Sequence, residues 1–370
     1  MKHLLRANLG LLIAGAATFV LMGASQSLLG SALPVFAESF SLTRAQSGLL
    51  VSAFWIGCAA SVGFMYLRGQ GIGPRHALTL MAAGSGLMAV EPGWMLTLAG
   101  AAVFGAGYGM ATVVFNPRVL AAFGQHGTAM LSLLNATFGI GAIAAPLIFV
   151  ALDQDPRLAF GASAVAALGI WLFAGTSKAG AAAAPGTRGP FRPPLAYLLF
   201  AVFGIGLEAS LGGLGPMALI ASGIPQAHAA ELLSAFFVAF LGARVALIFT
   251  AHLIEPFRLY TGAMCCAAIF AAVAFVVSPA VGFVGLGACA ALFFPGFYVA
   301  ASKRIGDDPR TAPTIIAAGL VGGICAPPIL SALMPFFGPR GFFLLVLVLA
   351  AATGAAALFA SRRQASSTPV

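Results

Sequence analysis

The chain has 370 residues, of which 61% are hydrophobic and only 7% are charged, and its mean hydropathy is +1.02. Soluble proteins carry roughly 25% charged residues, and a water-facing surface cannot be built from so few. Lipid as the outer solvent removes the difficulty, because the exterior must then be apolar. The formal net charge of +9 would suit nucleic acid, but the cations are scattered among separate loops, which excludes that class of partner.

Apolar runs of about 20 residues, the length that crosses the hydrocarbon core, follow one another along the whole chain. They predict about twelve transmembrane helices and hence an all-α membrane protein. The first run, after Lys2 and Arg6, is too long for the core of a signal peptide, so we expect it to be retained as a helix. The predicted spans are 8–33, 45–67, 75–90, 93–123, 128–152, 158–175, 194–222, 227–253, 257–277, 279–302, 309–335 and 340–360.

The distribution of cations predicts the orientation. Twelve crossings place both termini on one side, and loops on the cytoplasmic side are enriched in Lys and Arg. The opposite loops carry only Arg44, Arg157 and Arg340. We therefore expect a multi-pass protein of the cell inner membrane with both termini in the cytoplasm. The fourteen cations on the terminal side are Lys2, Arg6, Arg68, Arg75, Arg118, Lys178, Arg188, Arg192, Arg258, Lys303, Arg304, Arg310, Arg362 and Arg363.

One stretch between the predicted helices cannot span a membrane. Residues 176–194, TSKAGAAAAPGTRGPFRPP, are rich in Ala, Gly and Pro and carry three cations, which is typical of a linker. It divides the chain into an N-terminal six-helix bundle at 1–176, a cytoplasmic linker at 177–194, a C-terminal six-helix bundle at 195–363 and a tail at 364–370.

The two halves resemble each other. Aligning Pro146 of helix 5 with Pro327 of helix 11 also aligns Gly141 with Gly322. Helices 2 and 8 share the segments VSAFW and LSAFF, and helices 4 and 10 share FNP and FFP. Matches in the same order at a nearly constant offset indicate a parallel repeat of two pseudo-symmetric bundles.

The six-plus-six plan, the linker and the paired segments together resemble the major facilitator superfamily over nearly the whole length. The loop LRGQGIGPRHAL is similar to a degraded form of that family's G-x-x-x-D-R-x-G-R-R signature. Gly73, Pro74 and Arg75 fit its end, and Gln70 stands nearest the missing acid. The resemblance implies a major facilitator fold, and the missing acid is a departure from the residues of that family's usual charge lock in this loop.

A weaker similarity is to the fucose-permease-like branch. That branch shows Gly-x-Glu, Ser-x-aromatic and Gly-Arg in helices 7 and 8, and this chain reads Gly206-Leu207-Glu208, Ser234-Ala235-Phe236 and Gly242-Ala243-Arg244. The acids that the branch's proton-coupled sugar porters carry in helices 1 and 4 are absent here. Their sugar specificity and coupling residues therefore do not carry over.

Two ionisable residues lie well inside the predicted spans, Glu208 in helix 7 and Arg244 in helix 8. A charge at this depth normally faces a cavity or a partner. One interpretation is a structural ion pair between the two helices; the other is a role in substrate binding or proton coupling. The repeat alignment places Glu208 opposite Gly23 and Arg244 opposite Val62, and we favour the functional role because the other half does without charges.

Four uncharged polar residues are weaker candidates: Gln26, Asn116, Asn135 and Tyr298. Interhelical hydrogen bonding is the favoured role for each, and a place in the solute site is the alternative. In the resembled family, helices 1, 4, 7 and 10 line the central cavity, which implies a place there for Gln26, Asn116, Glu208 and Tyr298.

The motifs of enzymes and metal sites are missing. The five cysteines lie inside apolar runs without metal-type spacing, so we interpret them as small apolar packing residues. The histidines are scattered near helix ends, and no nucleophile–base arrangement is present. We expect a protein that is not an enzyme and that holds no cofactor or metal.

The favoured function is secondary active transport of a small solute by alternating access, with a site near the midplane between the halves. With one acid and one base in the spans, the substrate is expected to be neutral, zwitterionic or a monoanion. Proton coupling is left open, as are export of drug-like or amphipathic metabolites and a non-transporting role as sensor or scaffold. The expected partners are the small-molecule substrate, protons if coupling occurs, and the lipid bilayer, with the protein as a monomer.

Overall fold

The structure, a computed structural model, describes residues 6, 8–69, 71–91, 93–175, 191–250, 252–306, 308 and 310–366. Within these ranges the chain forms twelve α-helices and no strand. The helices are α1 Leu9–Ser39, α2 Arg44–Arg68, α3 Pro74–Val90, α4 Trp94–Phe123, α5 Gly127–Ala151, α6 Pro156–Phe173, α7 Leu195–Ala221, α8 Gln226–Thr250, α9 Pro256–Val276, α10 Pro279–Ile305, α11 Thr311–Leu333 and α12 Gly341–Ser366.

Eleven of these helices are long and apolar enough to cross a membrane. The exception within the described ranges is α3, which has 17 residues. At 1.5 Å per residue it measures about 25 Å, slightly less than the roughly 30 Å of a hydrocarbon core. The predicted helices therefore all exist, and the shortest predicted span is also the shortest helix.

Two helix ends differ from the prediction by six residues. Helix α1 continues past residue 33 to Ser39 and contains Pro34. Proline inside a helix is tolerated in membrane proteins because neighbouring groups can satisfy the backbone carbonyl that it frees. Helix α12 continues to Ser366 rather than 360, so the predicted tail at 364–370 begins inside the helix. Most of the predicted linker at 177–194 lies outside the described residues, and the bundle boundaries stay a prediction.

Local chemistry fixes where several helices begin. Asp155, Glu255 and Ser278 each precede a proline, and each side chain accepts a hydrogen bond from a backbone N–H of the first turn. Proline is favoured at the first helical position because its missing N–H would be unpaired there anyway. An oxygen-bearing cap followed by proline therefore starts α6, α9 and α10.

The chain divides into two compact units, the first within Met1–Leu42 and Leu49–Ala184 and the second within Thr43–Gly48 and Pro185–Val370. In the first unit, α1 packs most extensively against α5 and α3 packs against α4 and α6. In the second unit, α7 packs against α11 and α10 packs against α8 and α9.

Glycine allows a very close helix contact in each unit. A Cβ atom added at Gly141 of α5 would lie 1.8 Å from the carbonyl oxygen of Val20 on α1. A Cβ atom added at Gly322 of α11 would lie 1.9 Å from the carbonyl oxygen of Val202 on α7. The predicted alignment of Gly141 with Gly322 is thus confirmed by packing, since both allow the same backbone approach.

A second pair of contacts repeats in the same way. Gly105 of α4 packs on the carbonyl of Phe54 in α2, and Gly287 of α10 packs on the carbonyl of Phe236 in α8. Phe54 and Phe236 are the residues that the VSAFW and LSAFF segments align. Two independent helix pairs therefore share one register in both units.

We expect Gly141→Ala and Gly322→Ala each to destabilise the protein by about 1–3 kcal/mol, the usual range for an overpacked core. Gly169→Ala on α6 is the matched control, because nothing lies within 4 Å of a Cβ added there. Thermal unfolding of the purified variants measures the difference. A Gly141→Ala protein as stable as the control would contradict the close contact.

Candidate functional site

Glu208 lies at the centre of α7, whose sequence is apolar on both sides of it. Its side chain is half-buried, and its Oε2 atom is covered and has no hydrogen-bond partner. Such an atom is rare in a folded protein, because a buried acceptor without a donor is unfavourable by about 1–3 kcal/mol. An unpartnered carboxylate oxygen at mid-helix therefore calls for a structural or functional explanation.

Arg244 lies on α8, six residues before that helix ends at Thr250. Its guanidinium carbon stands 4.5 Å from the centre of the Phe240 ring, a cation–π contact within the same helix. Its Nε atom is buried and has no hydrogen-bond partner. The guanidinium is thus stacked on an apolar ring, and this nitrogen stays available to an acceptor.

The two charged residues do not form a direct ion pair. Among the described residues, the ion pairs within 4.0 Å are Arg157–Glu91, His228–Glu231 and Arg310–Asp308. Arg244 is nevertheless close enough to Glu208 for the two charges to interact. The interpretation of a directly bonded structural pair therefore does not describe this structure, and each group keeps an unpartnered atom.

The packing corrects the residue predicted to stand opposite Glu208. Val20 and Val202 make equivalent contacts, so the residues six positions further along α1 and α7 are equivalent too. These residues are Gln26 and Glu208, and the predicted partner Gly23 is wrong by three positions. The error arose because α1 and α7 share no sequence motif that fixes their register.

In the first unit, the amide oxygen of Gln26 has a hydrogen-bond donor within the protein. The Tyr108 hydroxyl of α4 donates a hydrogen bond to Oε1 of Gln26 at 3.3 Å. Tyr108 lies three residues after Gly105, and the residue three positions after Gly287 is Ala290, which is fully buried. The position equivalent to the tyrosine therefore offers no hydroxyl, which gives a physical reason why an oxygen of Glu208 lacks a donor.

The other candidates are dispersed. Asn116 is half-buried and its Oδ1 atom has no partner, one residue before Pro117 in α4. Tyr298 on α10 packs its ring on Phe294 with centroids 5.4 Å apart. Asn135 is exposed, and its amide donates to the carbonyl of Leu131 in its own helix at 2.9 Å. The structure brings Gln26 together with Tyr108 within the first unit.

Sequence reasoning missed a buried serine cluster. The Ser163 hydroxyl of α6 is 3.3 Å from the hydroxyls of both Ser25 on α1 and Ser85 on α3. Single serines in apolar helices carry no signal in one sequence, so the cluster could not be predicted. The cysteines also need correction, because Cys266 and Cys325 are exposed rather than packed inside.

The loop that resembles the family signature is followed by a contact between α3 and the end of α6. Arg75, at the start of α3, donates to the carbonyl oxygens of Trp171 and Leu172 at the end of α6, both at 3.2 Å. Its guanidinium also lies over the Trp171 ring at 4.6 Å. A cation at a helix C-terminus is favourable, so Arg75 fastens α3 to α6. Gln70 lies outside the described residues.

Comparison with known proteins accords with this geometry. A model described as Major Facilitator Superfamily matches residues 15–320, and no curated protein matches the chain in sequence. A variant of the nucleoside transporter NupG has a similar structure, with a TM-score of 0.76 at 14% identity over 95% of this chain and 98% of that one.

Two sugar transporters are also similar. The D-xylose-proton symporter matches with a TM-score of 0.70 at 15% identity over 95% of this chain and 96% of its own. The fucose:proton symporter FucP of E. coli, in a variant form, matches with a TM-score of 0.62 at 18% identity over 94% and 98%. At these identities the likeness is one of fold, and it confirms the predicted fold class.

We expect Tyr108→Phe to lower stability by about 1 kcal/mol, because Gln26 loses its internal donor. Tyr108→Phe should not lower stability further in a Gln26→Leu background. A double-mutant cycle therefore isolates the contribution of the Tyr108–Gln26 hydrogen bond. Thermal unfolding of the four proteins measures it, with Tyr298→Phe as the control tyrosine. Equal effects of Tyr108→Phe in both backgrounds would show that the hydrogen bond contributes nothing.

Proposed function

We propose that this chain, which belongs to the Major Facilitator Superfamily, is a secondary active transporter that couples movement of a small polar solute to protons at Glu208. Members of the family are transport proteins and not enzymes, and the structurally similar proteins include symporters. The solute class and the coupling ion are the parts that this proposal adds.

The unpartnered Oε2 atom of Glu208 carries the proposal. At the equivalent position the first unit has Gln26, a group of nearly the same shape that cannot ionise and that Tyr108 satisfies. A carboxyl group without an internal donor can exchange a proton, and its charge and hydrogen-bonding capacity then change in one step. The asymmetry between the units therefore places a titratable group where a neutral amide suffices for folding.

Arg244 supports the same role. Its charge interacts with that of Glu208. Among the described residues, the two side chains form no ion pair within 4.0 Å, so the carboxylate oxygens stay open to other partners. Protonation of Glu208 would leave the guanidinium uncompensated in an apolar setting. A solute acceptor atom, or a shift of α8, would then compensate it. Proton binding and solute binding are thereby linked through one pair of groups.

The proposed solute is a small neutral or zwitterionic molecule rich in hydrogen-bonding groups. Glu208 offers an acceptor and Arg244 offers a donor, and their opposite charges nearly compensate. The similar structures include a nucleoside transporter, a D-xylose-proton symporter and a fucose:proton symporter. L-fucose, D-xylose and uridine are therefore the first compounds to screen by thermal shift, since a bound ligand raises apparent stability.

We expect Glu208→Gln to fold and to exchange solute across a membrane while losing accumulation against a gradient by about tenfold or more. The fold should tolerate the change because the first unit already carries glutamine at the equivalent position. Proteoliposomes with an imposed pH gradient and the radiolabelled compound selected by the screen measure both modes. Glu231→Gln is the matched control, because Glu231 is exposed and pairs with His228.

Wild-type accumulation by Glu208→Gln would refute the coupling role. Loss of exchange as well as accumulation in a folded Glu208→Gln protein would move the residue from coupling to solute binding. A pH dependence of transport near neutrality cannot come from Asp308, because hydrogen bonds from Arg310 lower the pKa of that carboxyl to about 2.

We also propose that the protein lies in the cell inner membrane with both termini in the cytoplasm, as the cation distribution predicts. Reporter fusions after Thr176 and after Arg363 should behave as cytoplasmic, and a fusion at Gln154 as external. An external signal after Thr176 would overturn this orientation.

A further inference from the structure

A groove of about 370 Å³ runs along the second unit, lined by parts of α8, α9 and α10. Its volume falls within the range of about 300–1,000 Å³ typical of small-molecule sites. Its lining is apolar or contains thiols, with one ionisable exception, Arg258. A single cation at one end of an apolar groove is the pattern expected for an amphipathic anion.

Helix α9 supplies the length of the groove. Arg258, Gly262, Cys266 and Phe270 recur at every fourth position and so lie along one face of the helix. They extend over about 18 Å at 1.5 Å per residue, close to the roughly 15 Å thickness of one hydrocarbon leaflet. The small residues Gly262 and Cys266 leave space in the middle of this face.

Arg258 is open to a ligand. It is exposed and lies in the first turn of α9, at the N-terminal end of a helix long and apolar enough to cross a membrane. The nearby carboxylate of Glu255 accepts hydrogen bonds from the backbone N–H groups of Phe257 and Arg258. Among the described residues, no carboxylate forms an ion pair with the Arg258 guanidinium. Its charge is therefore available to an anionic headgroup.

We propose that this groove binds an anionic phospholipid, with one acyl chain along α9 and the phosphate at Arg258. Anionic lipids collect next to cations at the membrane surface, and the acyl chain replaces empty space beside Gly262 and Cys266. The proposal does not depend on which solute is transported or on proton coupling.

The first unit holds an internal control. A groove of about 410 Å³ lies between α1, α5 and α6, and none of its lining residues is ionisable. It matches the α9 groove in size but lacks a cation. It should accept an acyl chain without preference for the headgroup, so headgroup selection must come from Arg258.

Two exposed cysteines make the occupancy measurable. Cys266 lines the groove, whereas Cys325 is exposed on α11 and does not line it. The full-length protein is reconstituted in phosphatidylcholine with or without phosphatidylglycerol, and alkylation of each thiol by N-ethylmaleimide is followed by mass spectrometry. Phosphatidylglycerol at twice its Kd should slow the alkylation of Cys266 by about threefold. The alkylation rate of Cys325 should stay unchanged.

Substitutions of the cation and of a small lining residue test the two parts of the proposed site separately. Arg258→Gln should abolish the protection by phosphatidylglycerol, and Arg258→Lys should retain most of it. Gly262→Leu should fill the groove and remove the lipid effect, and the fold should tolerate it because nothing lies within 4 Å of an added Cβ. Gly169→Leu on α6, equally open, is the matched control and should keep the wild-type response.

Three outcomes would overturn the proposal. Equal alkylation of Cys266 with and without phosphatidylglycerol would exclude an anionic lipid in the groove. Unchanged protection in Arg258→Gln would exclude the headgroup contact. Equal slowing of Cys266 and Cys325 would show a general effect of the bilayer. Loss of protection in the folded Arg258→Gln and Gly262→Leu proteins, with protection intact in Gly169→Leu, would support it.

Discussion

The absence of a side chain at Gly141 and at Gly322 allows two helix backbones to touch in each unit. In a bilayer, helices gain little from apolar contact as such, because lipid tails are as apolar as leucine. Close backbone approach at small residues then supplies much of the packing. It also fixes how far one helix is shifted along the next. Every polar side chain on α1 and α7 takes its neighbours from that register.

The register of the helices determines which neighbours surround the equivalent residues Gln26 and Glu208. In the first unit an amide meets a tyrosine hydroxyl, and the polar pair is complete. In the second unit a carboxyl stands there and an alanine replaces the tyrosine. Low dielectric makes a completed pair rigid and an incomplete one costly. The difference turns a structural hydrogen bond into a group that must find a proton, a solute atom or water.

In both units an arginine side chain binds the carbonyl oxygens at the C-terminal end of a neighbouring helix. Arg75 donates to the last carbonyls of α6, and Arg340 donates to the carbonyl of Phe275 at the end of α9 at 2.9 Å. The last carbonyls of a helix have no partner within it, and a cation also favours that end of the helix dipole. The same residue type thus binds protein carbonyls at these two positions, whereas among the described residues no carboxylate forms an ion pair with Arg258.

The sequence determined the helices, their number and the family, because apolar length and the punctuation by Pro, Gly and charge are local properties. It also identified Glu208 and Arg244, since charges in apolar runs are visible without a structure. It misplaced the residue opposite Glu208, because α1 and α7 share no motif and only the contacts at Val20 and Val202 fix their register. Tertiary structure also decided that Glu208 lacks a donor. The reason is that Ala290 occupies the position equivalent to Tyr108. Ala290 lies on another helix, 82 positions away along the chain, and only backbone packing makes the two positions equivalent.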